Sequence, residues 1–206
     1  MKPCETRDKL INTAIELMWT ESYSSAGVEE ICRRAGLNKG SFYHFFPSKM
    51  DLALAAFESH WESFRPELEQ IFSSDTAPLE RLSAYCARAR MRQKELKKRF
   101  GFVPGCPLTS VGSEQGTQSE PLRKMVCRIF NQLRGYFESA IRDAMAEGSI
   151  PEADAAKRTD ELFSYYLGVQ IRARITNDLA AMEDMEQVFL TLLGNQKAIH
   201  HESRTS

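Results

Sequence analysis

Apolar residues recur every three or four positions along most of this chain, and short polar breaks interrupt them. Strand-like alternation of single apolar and polar positions is absent, so the pattern is that of helices. From Thr6 to about Ser22, the residues Leu10, Ile11, Ala14, Ile15, Leu17 and Met18 form a broad apolar stripe. That stripe predicts an amphipathic helix, opened by Thr6 or Asp8 and closed at Tyr23-Ser24-Ser25. Val28, Ile31, Cys32 and Ala35 follow at i, i+3, i+4 and i+7 and predict a short second helix. Gly36 then permits the left-handed turn that ends it. Asn38 is a good N-cap for a third short helix, which Pro47 stops because the residue before proline avoids helical geometry.

Ser48 is the expected N-cap of a longer helix through Leu52, Leu54, Ala55, Phe57, Trp61 and Phe64 to about Phe72, despite Pro66. A polar linker at Ser73–Pro78 leads to a helix over Leu79–Arg99. The break GFVPGCP, Gly101–Pro107, precedes a short helix over Leu108–Glu114 and a Gly/Ser/Thr/Gln-rich loop over Ser113–Ser119. Helices are expected over Leu122–Glu147, Ala153–Asn177 and Met182–Leu193, with a turn at Gly148–Pro151 and a frayed polar tail from Gly194. The result is an all-α fold of about nine helices. Residues 1–47 would form a three-helix domain completed by the start of the fourth helix, 48–56, and residues 48–206 a larger helical domain. Three short helices bury too small a core to stand comfortably alone.

Composition narrows the function classes. With 42% hydrophobic and 27% charged residues the chain is an ordinary globular one. It carries no apolar run long enough for a bilayer and no signal-peptide pattern, so cytoplasmic residence without a membrane partner is expected. Cysteines at 4, 32, 86, 106 and 127 are widely spaced with no CxxC, and the histidines at 44, 60, 200 and 201 make no HExxH. Neither a metal site nor a disulfide framework is suggested, and no cofactor is expected. Paired carboxylates, a Ser/His/Asp arrangement and a phosphate loop are all missing, which argues against an enzyme.

The two short helices around Gly36-Leu37-Asn38 form a helix-turn-helix candidate, the second helix presenting its outer face to a DNA major groove. Lys39, Gly40 and Ser41 are small or polar, as close approach of a helix N-terminus to DNA requires, and such termini also attract phosphates. The net charge of −1 gives no global support to nucleic-acid binding. Locally, residues 31–50 contain Arg33, Arg34, Lys39 and Lys49 and no acid, whereas the rest of the first 60 residues holds eight acids against Lys2, Arg7 and Lys9. The basic footprint is confined to the motif.

The stretch VEEICRRAGLNKGSFYHFFPSKMDL resembles the TetR family of bacterial transcriptional regulators through Val28, Ile31, Ala35-Gly36-Leu37, Lys39-Gly40, Tyr43, Phe46 and Lys49 to Leu52. The likeness covers roughly residues 7 to 54. It implies an N-terminal DNA-binding domain and a larger C-terminal domain that binds a small ligand and forms a homodimer. It further implies a repressor that binds a palindromic operator and is released by a small-molecule effector, resident in a bacterial cytoplasm and on the nucleoid when DNA-bound. Residue by residue, Asn38, Lys39, Gly40 and Ser41 would stand at the start of the recognition helix. Tyr43 and His44 would contact phosphate, Lys49 would hold another, and Phe42 and Phe46 would face the core. Two positions depart from the family pattern. Ala26-Gly27 stands where many members have Thr or Ser, leaving Ser24 or Ser25 to cap the second helix. Phe45 replaces a frequent His or Tyr. It can touch a thymine methyl or sugar edge, or pack beside Phe42, but cannot donate to phosphate.

GCPLTSVGSE, Gly105–Glu114, looks like the start of the sixth helix in one TetR subgroup. In the family this segment lies between the ligand pocket and the fourth helix. A ligand that shifts it would separate the recognition helices. Trp61, Phe64, Tyr85, Phe102, Phe130, Phe137, Tyr166 and Gln170 are the candidate pocket residues, although aromatics at helical spacing are usually plain core. Cys106 joins them. It is either a small residue filling a tight turn or a thiol at a helix N-terminus, a setting in which cysteines react with electrophiles or oxidants. RARMRQKELKKR, Arg88–Arg99, holds seven bases and one acid and reads as a solvated helix face, with an anionic ligand or an extra phosphate contact as the alternatives. Leu162, Phe163, Tyr166, Leu167, Val169, Gln170 and Ile171 run nearly continuously around the penultimate helix. Burial on more than one side is needed there, and a four-helix dimer interface built from the last two helices would supply it.

Overall fold

The structure, a computed structural model, describes residues 3–195. Nine α-helices and one 3-10 turn make up its regular structure, and no strand occurs among the described residues. The helices are α1 (Pro3–Thr20), α2 (Val28–Ala35), α3 (Lys39–Phe45), α4 (Lys49–Ile71), α5 (Pro78–Phe100), α6 (Pro107–Gln115), α7 (Glu120–Ala146), α8 (Ala155–Thr176) and α9 (Met185–Leu192). The expected tail lies, from residue 196 on, outside the described residues, as do His200 and His201.

Most helix ends follow from local chemistry. Ser48 caps α4: its hydroxyl accepts the Asp51 N–H at 3.2 Å and donates to the Asp51 carboxylate at 2.7 Å. Asp154 caps α8 by accepting from the Lys157 N–H at 3.1 Å. Pro78 and Pro107 occupy the first turns of α5 and α6, where a missing N–H costs nothing. The start of α1 differs from expectation. The helix begins at Pro3, and Thr6 is buried within it. The last helix is also shorter than expected, because residues 180–182 form the 3-10 turn instead.

Two compact units emerge. One holds the chain up to Arg65 together with Cys106–Ile129, and the other holds Pro66–Gly105 and the chain from Phe130 on. In space, α6 and the front of α7 therefore belong with the first 65 residues. The core of the first unit is Leu10, Ala14 and Leu17 of α1, Ile31 and Ala35 of α2, Phe42 of α3, Leu52, Ala56 and Phe57 of α4, and Val111 of α6. The core of the second centres on Tyr85, Phe137, Ile141, Leu162 and Phe189. Within it, buried Arg81 donates to the carbonyls of Thr76 and Ser74 and pairs with Asp143 at 2.5 Å, tying the α4–α5 turn to α7. No helix among the described residues is long and apolar enough to cross a membrane.

Candidate nucleic-acid interface

The helix-turn-helix is built by two local devices. At the end of α2, Gly36 adopts φ 63°, and its N–H and that of Leu37 return to the carbonyls of Arg33 and Cys32. This double closure is a Schellman turn, open to glycine because a side chain is strained at that φ. Two residues on, the Asn38 side chain accepts the Ser41 N–H at 2.7 Å and starts α3. A Cβ on Gly40 would come within 3.2 Å of that same Asn38 oxygen, so the glycine keeps the cap uncrowded.

The aromatic run divides between two faces. Phe42 is fully buried and Phe46 nearly so, their rings 6.2 Å apart. Tyr43 is 55% exposed and rests edge-on against Phe42, 5.1 Å between centroids. Lys39, Gly40 and His44 are exposed beside it, and Ser41 is half-buried. Phe45 is half-buried and sits edge-on to His44 at 4.7 Å, so it is a support beneath the exposed edge and not a core residue beside Phe42.

The cations of the motif are engaged within the protein. Arg33 and Arg34 both bond Glu30, at 2.6 to 2.7 Å, and Arg34 also reaches Glu21. Those hydrogen bonds, Arg33's first, pull the Glu30 carboxyl down to about 2. Lys39 pairs with Glu29 at 3.0 Å across a solvent-exposed gap.

Lys49, expected at a phosphate, is engaged with the α1–α2 turn in the DNA-free chain. Its ammonium donates to the Tyr23 carbonyl and lies 4.2 Å from the centre of the Tyr23 ring. It borders a small apolar cleft lined also by Leu17, Met18, Ala26, Ile31 and Leu52. Burial there pulls its pKa down, against the upward influence of Glu114. A lysine in that position staples the α1–α2 turn to α4.

Nor does Ser24 or Ser25 cap α2. Gly27 is the N-cap and offers no side chain. Ser25 instead turns back to Ser22 and Glu21. The N–H groups of Tyr23 and Ser24 both donate to the carboxylate of Glu114, at the far end of α6, at 2.8 Å each. The neighbouring Gln115 donates to the Ser24 hydroxyl at 3.2 Å. Burial pushes the Glu114 carboxyl up, but the hydrogen bonds from Ser24 and Tyr23 more than offset this and hold it below the usual carboxylate range.

The expected ligand residues fall into the two units. Trp61, Phe64 and Cys106 belong to the first. Trp61 is buried with its indole N–H unpartnered, Phe64 is half-buried, and half-buried Cys106 forms the N-cap position of α6. In the second unit, Tyr85, Phe137 and Tyr166 come together at centroid distances of 4.9 to 6.3 Å. Phe163 joins this cluster, and Phe130 packs on Phe163 at 5.4 Å. Gln170, one turn beyond Tyr166 on α8, is buried with its carbonyl oxygen unpartnered. Phe102 packs instead on Phe100, 6.3 Å away.

Three polar side chains without a signal in the sequence hold residues 103–105, one of them in the basic stretch. Gln93 is buried and grips Gly105 at both ends, donating to its carbonyl at 2.9 Å and accepting its N–H at 3.1 Å. Arg174 holds the Pro104 carbonyl at 2.9 Å, and Asn177 accepts the Val103 N–H at 2.8 Å. Arg88 is paired with Glu67, and Lys97 donates to the Asn177 carbonyl, so the stretch is only partly a solvated face.

Known proteins resemble the chain over most of its length. Residues 10–56 match the profile described as bacterial regulatory proteins, tetR family, and residues 78–189 that of the tetracyclin repressor-like C-terminal domain. The chain is 30% identical over 168 residues to the transcriptional regulator AcuR of Cereibacter sphaeroides, covering 81% of this chain and 75% of that one. It superimposes on the crystal structure of a regulatory protein TetR from Rhodobacter sphaeroides with a TM-score of 0.79 at 28% identity, over 88% and 95% of the two chains. The E. coli NemR reduced form shares the fold alone, with a TM-score of 0.81 at 21% identity over 93% and 98% of the two chains. An all-helical chain with this helix-turn-helix and both of these matches belongs to the TetR family of transcriptional regulators.

Proposed function

We propose that this regulator is a ligand-responsive repressor, binding a palindromic operator as a homodimer and leaving it when a small effector binds. The observation that carries the reading is the exposed edge of α3. Lys39, Gly40, Tyr43 and His44 project from a helix fixed at one end by the Asn38 cap and anchored behind by Phe42 and Phe46. Such an edge is free of apolar side chains other than the Tyr43 ring, whose hydroxyl can bond phosphate.

Dimer formation is assigned to α8 and α9. Ser164, Gly168, Ile171 and Ile175 lie along one face of α8, and Ile171 and Ile175 are 41% and 77% exposed. Two isoleucines beside small residues suit close packing against a second copy about a two-fold axis.

Effector binding is assigned to the second unit. The Tyr85, Phe137 and Tyr166 rings offer apolar walls, and the unpartnered Gln170 oxygen offers an acceptor for a donor group on the ligand. Release then follows the chain. Gly105, clamped by Gln93, is joined directly to Cys106 at the start of α6, and Glu114 at the other end of α6 grips the turn before α2. An effector that moved residues 101–105 would pull on that grip and shift the recognition helices from a half-site spacing of about 34 Å. Emptying the operator nearly completely requires about 5.5 kcal/mol of preference for the released state.

The test is a mobility shift with the DNA upstream of the protein's own gene. The expected result is a salt-sensitive, sequence-specific complex that small metabolites found by thermal-shift screening dissociate. No complex with any upstream duplex would reject the reading.

A further inference from the structure

Six lysines and arginines among residues 3–56 could neutralise phosphate, and the structure separates them into two groups. Arg33, Arg34 and Lys39 are each paired with a glutamate, and Lys49 is bonded to the Tyr23 carbonyl. Arg7 and Lys9 of α1 are exposed, and neither has an ion pair among the described residues. Their placement is specific. The Arg7 guanidinium lies over the Phe46 ring, 5.6 Å from its centre, and Phe46 is the C-cap of α3. The Lys9 ammonium lies 3.7 Å from where a Cβ on Gly36 would stand, beside the turn that leads into α3. The unpaired cations therefore flank the two ends of the recognition helix.

We infer that Arg7 and Lys9 of α1 are phosphate contacts of the operator complex, one on each side of the groove that α3 enters. This inference rests on the DNA-binding reading above and adds to it a source of charge outside the helix-turn-helix. Arg7 lies over the Phe46 ring at cation–π distance and is exposed, so its N–H groups can reach a phosphate oxygen. Lys9 bonds as a point charge on a long stem. Lys39 contributes only when Glu29 gives it up, whereas Arg7 and Lys9 have no ion pair to lose among the described residues. These contacts position the protein without reading bases, so their loss weakens all duplexes alike.

The experiment measures binding to a fluorescein-labelled duplex, selected from randomised DNA by the wild-type protein, across a series of potassium chloride concentrations. The proteins are full-length wild type, Arg7→Gln, Lys9→Gln, Arg7→Lys, and Lys124→Gln as a control for an exposed cation on α7. Each Gln variant is expected to lower the slope of log K against log[salt] by roughly 0.9 per bound chain, on selected and scrambled duplexes equally. Arg7→Lys should keep the wild-type slope, since charge is retained. Lys124→Gln should also keep it. A Gln variant whose slope matches that of Lys124→Gln overturns the assignment for that residue while leaving the DNA-binding reading intact. A wild-type protein with no salt-dependent duplex binding overturns both.

Discussion

Glu114 and Ser24 lie 90 positions apart in the chain, and a carboxylate oxygen of the first accepts the backbone N–H of the second at 2.8 Å. The other oxygen of Glu114 takes the N–H of Tyr23, while the Tyr23 carbonyl takes the Lys49 ammonium. One peptide turn is thus held on its donor side by α6 and on its acceptor side by α4. No side chain caps α2, so this turn fixes how α2 leaves α1, and α2 in turn carries α3.

Replacing Glu114 should therefore show in both stability and pH response. Glu114→Ala removes the acceptor of two N–H groups and should cost about 1–2 kcal/mol in denaturant unfolding at pH 7. The folded-state pKa of Glu114 lies below its unfolded value. Its contribution is then complete above about pH 4.3, the ordinary glutamate value, and is lost as pH falls through the folded value. The gap in melting temperature between wild type and Glu114→Ala should close as pH drops from 5 toward 3. A gap that persists at the lowest pH would show that the carboxylate charge is not what holds the turn.

The faces of α3 make a second pair of outcomes. Phe42 is completely buried, and Phe42→Ala should lower stability by about 3–5 kcal/mol. Tyr43→Ala, on the exposed edge, should leave the melting temperature within a few degrees and weaken binding to upstream DNA. Equal losses of stability in the two variants would mean that the division of the aromatic run is wrong.

What could be read from the residues alone was whatever depends on neighbours within a turn of helix. Gly36, Asn38, Phe42 and Phe46 act through contacts three to five positions away, and their roles follow from spacing. The Tyr23 contact of Lys49 was not legible, because a basic residue before an amphipathic helix looks the same whether it faces a phosphate or a backbone carbonyl. Gln93 was hidden in a basic run, and only the return of the chain at Gly105 gives its amide something to hold. Glu114 carries no local signal, since its partners lie on a different helix pair. Long-range polar contacts of this kind arise from tertiary adjacency, which periodicity does not encode.

The two roles open to Lys49, turn staple and phosphate contact, are separable by experiment. Lys49→Gln should reduce stability through loss of the Tyr23 staple and leave the salt dependence of DNA binding unchanged. A slope lowered by roughly 0.9 per chain, with stability intact, would return Lys49 to the phosphate contacts.

The α8 face predicts assembly. Ile175 is 77% exposed in the single chain, so Ile175→Asp should not unfold it. In a dimer the aspartate would be buried against its symmetry mate, and sedimentation should find the variant monomeric at micromolar concentration where the wild type is dimeric. Operator affinity should fall with it, because a lone half-site contributes half of the contacts. A variant that stays dimeric would place the interface elsewhere.

Gln170 connects stability to the proposed effector site. Its side-chain oxygen is buried without a partner, an arrangement that costs about 1–3 kcal/mol. Gln170→Leu replaces the amide by an apolar group of similar volume in an aromatic setting that includes Tyr166, one turn away on α8. The ligand-free protein should therefore melt several degrees higher than wild type. If the oxygen is kept to accept a hydrogen bond from the effector, the same variant should bind operator normally and need a higher effector concentration for release, with a weaker thermal shift from the effector. A higher melting temperature with an unchanged effector response would make Gln170 a tolerated defect of the core. A lower melting temperature would mean that the amide is satisfied in solution, by water or by a shifted neighbour, and that the acceptor is not waiting for a ligand.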